Sequence, residues 1–481
     1  MSIQTGAMRT NRHVALIAAV SNVSIQYNFS VIAIALAFMD NRPSSPDPAY
    51  PRTDAQSSLL KSLVFAGAIL GQLTMGYAGD ALGRRKAMLL TNALSVVGAL
   101  GSALFTWGPP GTLYTILGGC RFLLGVGVGG KYPLAATMSR EADQLAAKQN
   151  PSITVAKGFF WQTPGTVLPY VVALVLLSVV GKTSYGAAYM STTSLEFRLL
   201  LGLGAIPTSI VMLLTYHTSD SREYLASRSA DTRSPLQVVR KHPELLRHLA
   251  GCGLSWALYD FVYYGTSFNQ VLITNAVFGS DDALFDNCWQ NIVLTAMGLP
   301  GVVLAILALY RWSSRKLQIL GFVLMGCTSA GLALAVLLDA SEATKFGCFC
   351  AILFSMNWGP NVSTYTLPAE VFPTAVRSTC FGLCAGMGKV GAIIGSASFQ
   401  AITDAVGIDG VYLVCAAVSL LGLLVTLALV PTPQSLEHER PSDAAPMIAP
   451  ATGGLEADAT AASRCECLLP SGSQDGGSGQ R

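Results

Sequence analysis

The sequence predicts an all-α membrane protein with twelve transmembrane helices in two six-helix bundles. Three observations carry this expectation. Of 481 residues, 51% are hydrophobic and only 12% charged, with a mean hydropathy of +0.49. The apolar residues fall in long blocks, and about 20 in a row span a bilayer as a helix. The longest polar interruption between blocks, 217–247, divides them evenly, six on each side.

The blocks lie near 13–39, 57–79, 87–107, 112–139, 155–181, 197–216, 248–276, 289–310, 317–338, 345–366, 378–403 and 410–431. They are too long, and alternate too little, for barrel strands. The first block follows Arg9, Arg12 and His13 and lacks a small-residue cleavage site, so it reads as a retained span. The organisation expected is a bundle over 1–216, a central loop over 217–247, a second bundle over 248–432 and a tail over 433–481. The tail is rich in Ala, Gly, Ser and Pro and cannot bury enough apolar surface to fold alone. Arg84, Arg85, Lys86, Arg140, Lys148, Arg222, Arg228, Arg233, Arg240, Lys241, Arg247, Arg311, Arg315, Lys316 and Arg377 fall in alternate loops; the other loops hold chiefly Arg42 and Arg52. That bias puts both termini in the cytoplasm.

The net charge of +3 comes mostly from basic residues at span ends, so no nucleic-acid partner is inferred. The eleven cysteines lack metal-ligand spacing. Cys465 and Cys467 read as unmodified thiols, and the Asn-x-Ser triplets at Asn22, Asn28 and Asn361 fall inside predicted spans, where no glycan is added. No P-loop, nucleophile–histidine–acid set or cofactor motif is present, which argues against an enzyme.

Charges at bilayer depth are costly, about 2.5–3.5 kcal/mol each on insertion scales, and so point to function. Asp260 is the one acid well inside a block; Lys131, Lys389 and Arg121 are the internal bases. Trp256, Asp260 and Tyr264 are spaced i, i+4, i+8 and share a helical stripe. Lys389 lies in GMGKVGAIIG, where small residues permit a close helix interface. Lys131 follows the glycines of GVGVGGKYPL. The plainer alternatives are a structural salt bridge for Asp260 and snorkelling to the headgroups for Lys131. Two lysines against one aspartate predict a positive interior that attracts anions without choosing among them.

GYAGDALGRRKAM (76–88), with Gly76, Asp80, Gly83, Arg84 and Arg85, resembles the loop between the second and third helices of the major facilitator superfamily. In it Asp80 can cap a neighbouring helix or pair with Arg84 or Arg85. RWSSRK (311–316), SDSREYL (219–225) and SLE (435–437) are similar to further segments of the superfamily. WGPNVSTYTLPAEVFPTAVRSTCFGLCAGMGKVGAIIG (358–395), GGKYPLAATMSRE (129–141) and the Trp256–Asp260–Tyr264 stripe are similar to the phosphate:proton symporters within it. The resemblance covers nearly all of 13–437.

It implies a phosphate site near mid-membrane. Tyr132, Gln162, Trp256, Asp260, Tyr264 and Lys389, with Asn361, match substrate-binding positions of the family. Asp260 is then the candidate proton-coupling group. Two positions depart from the pattern: Lys131 stands where the family has an acid, and SIQYNFSV (24–31) carries Tyr27 and Asn28 where aspartates are usual. Facilitator, exchanger and symporter relying on Asp260 alone all stay open. Lys131 is expected to raise the positive potential along the permeation path. The partners expected are a small anionic solute, protons and the lipid bilayer, with no cofactor, for a monomer in the plasma membrane. A carrier of organic anions or sugars, and a phosphate sensor that does not transport, are the competing functions.

Overall fold

In the computed structural model, residues 2–40, 50–142, 151–179, 187–230, 234–278 and 284–432 are described; the tail, with Cys465, Cys467 and SLE (435–437), and the loop positions Arg42, Lys148 and Arg233 lie outside them. Seventeen helices are present among the described residues: α1 (Ser2–Asp40), α2 (Asp54–Leu82), α3 (Arg84–Leu104), α4 (Pro110–Ala142), α5 (Pro151–Phe160), α6 (Gln162–Val179), α7 (Ala187–Leu203), α8 (Ala205–Tyr216), α9 (Arg222–Ala230), α10 (Pro235–Lys241), α11 (Glu244–Phe278), α12 (Leu284–Met297), α13 (Leu299–Ala308), α14 (Ser314–Leu337), α15 (Glu342–Trp358), α16 (Pro360–Val371) and α17 (Arg377–Leu429). No strand occurs among these residues.

Ten stretches among the described residues are long and apolar enough to cross a bilayer. The two other predicted blocks are also helical. Block 248–276 lies within α11, and block 345–366 is split between α15 and α16. The split falls at Gly359, outside helical geometry at φ −122°, ψ −88°, and Pro360 then opens α16. A proline at the first helical position gives up no intrahelical bond, and it disfavours helical geometry in the residue before it. The segment 217–247 is less of a loop than its polarity suggests, since it holds α9 and α10. Two spans follow one another in α17, which is kinked at Gly407, where the backbone leaves helical geometry at φ 76°, ψ 173°.

Helix α3 shows why these helices suit lipid. Leu90, Val97, Leu100 and Leu104 are exposed on one face, while Thr91, Asn92 and Ser95 are buried on the other. Each buried polar side chain donates to its own helix: Thr91 to Ala87 O at 2.6 Å, Asn92 to Met88 O at 2.8 Å and Ser95 to Thr91 O at 3.0 Å. Polar groups inside, their donors satisfied locally, with apolar groups outside is the arrangement a bilayer requires.

The glycines of GVGVGGKYPL bring α4 onto α2. A methyl group at Gly129 would lie 2.2 Å from Ala68 O, so only glycine permits this approach. The same device joins α17 to α11, where a methyl at Gly391 would meet Ala257 O at 2.0 Å. That second contact sets the register of Lys389 against the Asp260 stripe.

Candidate functional site

Helix α11 carries Trp256, Asp260 and Tyr264 on one face, and α17 brings Lys389 to it. Lys389 Nζ lies 2.9 Å from Asp260 Oδ2 and donates to Tyr264 OH at 3.1 Å. The lysine is also 4.7 Å from the Tyr264 ring centre and 5.7 Å from that of Tyr132. Both members of the ion pair are buried, at 3% exposure each. The salt bridge anticipated as the plainer role of Asp260 therefore exists, and it faces a chamber.

That inner chamber has a volume of about 20 Å³ and is lined by Gln26, Tyr132, Phe159, Gln162, Trp256, Tyr259, Asp260, Tyr263, Tyr264, Asn361 and Lys389. All seven candidate binding residues thus line one space. They come from α4, α6, α11, α16 and α17, and α1 adds Gln26, which sequence reasoning missed. Gln26 Nε2 donates to Tyr132 OH at 2.9 Å. Across the chamber Gln162 Nε2 approaches Asn361 Oδ1 at 3.5 Å, and Asn361 Nδ2 donates to Asn357 Oδ1 at 2.7 Å. Tyr132 is edge-on to Trp256 and Tyr365, at 6.5 and 6.0 Å between ring centres. The result is an apolar aromatic wall enclosing one ammonium, one carboxylate, three amides and several hydroxyls.

A larger chamber of about 220 Å³ adjoins it and shares Gln26, Gln162, Tyr263 and Tyr264. Its further lining includes Ser30 and Ala33 of α1 and Lys61 and Phe65 of α2. It therefore extends from the inner chamber toward the end of the bundle where α1 finishes and α2 begins.

Lys131 lines neither chamber. It is fully buried, with Nζ donating to Ser24 Oγ at 2.9 Å and Thr208 Oγ1 at 3.1 Å, between α1 and α8. Neither snorkelling nor a place on the chamber wall describes it. The expectation that it charges the path is corrected: one residue further along α4, about 100° of rotation away, Tyr132 holds the chamber position. Lys61 is the second lysine on a chamber wall, and it lies inside block 57–79, where the sequence reading passed over it. Tyr27 and Asn28 face other helices, with Tyr27 OH donating to Leu200 O at 2.8 Å and Asn28 Nδ2 to Gly204 O at 3.2 Å.

At the opposite end the loop motif ties the two parts of the chain together. Gly83, at φ 108°, turns the chain from α2 into α3. Asp80 pairs with Arg84 at 3.0 Å and also accepts from the first turn of α17, Thr379 N at 2.7 Å and Thr379 Oγ1 at 2.7 Å. A carboxylate at a helix N-terminus satisfies free N–H groups and complements the helix dipole. Arg84 continues to Glu141 at 2.8 Å and donates to Thr374 O at 2.8 Å. Arg377 reaches Glu223 at 3.3 Å and Glu141 at 3.6 Å. Arg85 stays on its own side, its N–H donating to Asp220 Oδ1 at 2.8 Å and its guanidinium to Tyr216 O at 2.8 Å. Gly76 sits against α17, where a methyl would meet Ser378 O at 2.5 Å.

A helical bundle with a central polar chamber, closed at one end by ion pairs, has the form of a major facilitator superfamily transporter. Residues 14–250 and 258–442 match the family described as "Sugar (and other) transporter", and the chain belongs to that family. It is 37% identical over 418 residues to the inorganic phosphate transporter PT2 of Toxoplasma gondii, covering 86% of this chain and 71% of that protein. It is 26% identical to the probable inorganic phosphate transporter 1-6 of Arabidopsis thaliana, covering 81% and 84%. Among solved structures, the proton:xylose symporter XylE bound to 6-bromo-6-deoxy-D-glucose matches with a TM-score of 0.71 at 18% identity, covering 90% of this chain and 99% of that one. The fucose:proton symporter FucP of E. coli matches with 0.67 at 13% identity, covering 89% and 100%. The protein is an integral, multi-pass membrane protein with this fold.

Proposed function

We propose that this protein is a secondary transporter of inorganic phosphate that works by alternating access. The observation that carries the reading is the Lys389–Asp260–Tyr264 cluster on the inner chamber, in a chain similar to named phosphate transporters. Phosphate oxygens would accept from Lys389, Tyr264, Tyr132, Gln162, Asn361 and the Trp256 N–H. Asp260 would accept from a protonated phosphate oxygen, a bond that sulfate, with no proton at neutral pH, cannot supply. Binding then requires Lys389 to share its ammonium between Asp260 and the incoming anion. This supports Asp260 as the group through which a proton is coupled. The Lys389 ammonium offers a phosphate oxygen a charge-assisted hydrogen bond stronger than any it can give a neutral sugar hydroxyl.

Residues 1–216 and 248–432 would be the two bodies that rock about the site, joined by 217–247. The bias of basic residues supports an orientation with the ion-paired end and both termini in the cytoplasm, in which the larger chamber would face outward. A monomer in the plasma membrane suffices for this cycle. It has no need of a cofactor or a nucleic acid, and it performs transport rather than catalysis.

The test is uptake of labelled phosphate into vesicles holding the purified protein, with and without a pH gradient and with excess sulfate. Uptake that sulfate does not compete for is expected. Absence of uptake, or equal competition by sulfate, would overturn the reading, and phosphate binding without flux would favour a sensor. Coupling through Asp260 predicts that a pH gradient, acidic on the uptake side, accelerates the native chain and leaves Asp260→Asn unaffected.

A further inference from the structure

We propose that Lys61 forms an outer capture site where anionic phosphate is held before it reaches Lys389. The inference rests on the phosphate reading above and adds a second station to its path.

The larger chamber has one charged residue in its lining, Lys61. No ion pair joins Lys61 to a carboxylate among the described side chains, and Asp40, the acid whose charge acts on it, is paired with Arg52. The inner chamber, by contrast, holds its ammonium and carboxylate as a pair. The unbalanced positive charge along the path is therefore in the outer chamber. A cation in a cleft with low-dielectric walls concentrates anions and speeds their capture.

The remaining walls define what kind of site this is. Thr166 donates to Gln162 O at 3.2 Å, Ser267 to Tyr263 O at 2.8 Å, Thr295 to Asn291 O at 2.8 Å and Asn357 Nδ2 to Leu353 O at 2.8 Å. These hydrogens are already engaged with backbone carbonyls, while the ammonium of Lys61 offers three donors. The site attracts by one charge and holds loosely, which suits a staging post. Phe29 and Phe65 stack with ring centres 5.2 Å apart, and Phe65 meets Tyr264 edge-on at 5.4 Å. Phe65 thus links α2, the helix that carries Lys61, to Tyr264 beside the inner pair.

The experiment measures initial phosphate uptake in vesicles against concentration and ionic strength, for the native chain and for Lys61→Gln, Lys61→Arg and Lys61→Cys. Lys61→Gln should raise KM by roughly 5- to 20-fold with maximal rate within about twofold, because capture is lost and the inner site is not. Lys61→Arg should stay within about twofold of native in KM. The native KM should rise with salt more steeply than that of Lys61→Gln, because screening acts on the charge. Lys61→Cys should regain a low KM after aminoethylation and not after attachment of a sulfonate. An unchanged KM in Lys61→Gln, or equal loss in Lys61→Arg, overturns the inference while the phosphate reading stands. No uptake by the native chain overturns both.

Discussion

Lys389 and Asp260 are each tolerable inside the bundle because of the other. Removing one partner of a buried pair leaves a bare charge and costs about 3–5 kcal/mol. Lys389→Gln should therefore lower the melting temperature and abolish uptake. Adding Asp260→Asn should restore melting and leave uptake absent, and both can be read by thermal unfolding in detergent beside vesicle flux. Lys131 is a different case. Its partners are hydroxyls that also bond each other, with Ser24 Oγ and Thr208 Oγ1 2.6 Å apart. Lys131→Met keeps that bond and fills a similar volume, so melting should be unchanged or raised, with KM for phosphate within about twofold. A fall in uptake would return Lys131 to the path. At this scale much of the site was legible: the i, i+4, i+8 stripe marked one wall, and the resemblance marked Tyr132, Gln162 and Asn361. The helix faces of Lys131 and Lys61 were not legible. Neighbours on a helix point about 100° apart, and a single sequence does not say which direction is the chamber.

Among the elements, α17 does most to build the site, because its close seat on α11 puts Lys389 opposite Asp260. Gly391→Leu would force the two helices apart, where a methyl alone would meet Ala257 O at 2.0 Å. Overpacking of this kind costs about 1–3 kcal/mol, and uptake should fall while the folded chain can still be purified. Normal uptake by Gly391→Leu would show that the seat is not what holds the ion pair. The small residues around Lys389 announced this interface in the sequence. The break at Gly359 and Pro360 and the helices of 217–247 were hidden, since hydropathy reports what a segment avoids more clearly than its local geometry.

For the whole molecule, the ion-paired end is the counterpart of the open chambers. Asp80 holds α17 with three hydrogen bonds, from Ser378 N, Thr379 N and Thr379 Oγ1. Asp80→Asn weakens them, and losing about 1.4 kcal/mol raises the population open at that end about tenfold. A cysteine placed at Thr137, whose Oγ1 accepts from Ser378 at 3.1 Å, should then react correspondingly faster with a water-soluble maleimide. An unchanged rate would mean that Asp80 does not help to keep that end shut. The superfamily architecture was readable from the blocks and the loop motif; the direction in which the chambers open was not. It depends on which of two nearly balanced arrangements is lower in free energy.

The pairing of Lys389 with Asp260 also bears on membrane voltage. One elementary charge crossing 100 mV gains or loses about 2.3 kcal/mol, but a bound cation and anion moving together carry no net charge. The return stroke of the unloaded carrier should then be electrically silent at this site, and one proton carried on Asp260 would make the stroke that bears a singly charged phosphate silent too. On a solid-supported membrane, singly charged phosphate taken up with one proton should give no net transient current; a current on adding phosphate would mean that the anion crosses uncompensated, and a capacitive transient in its absence that other charges traverse the field.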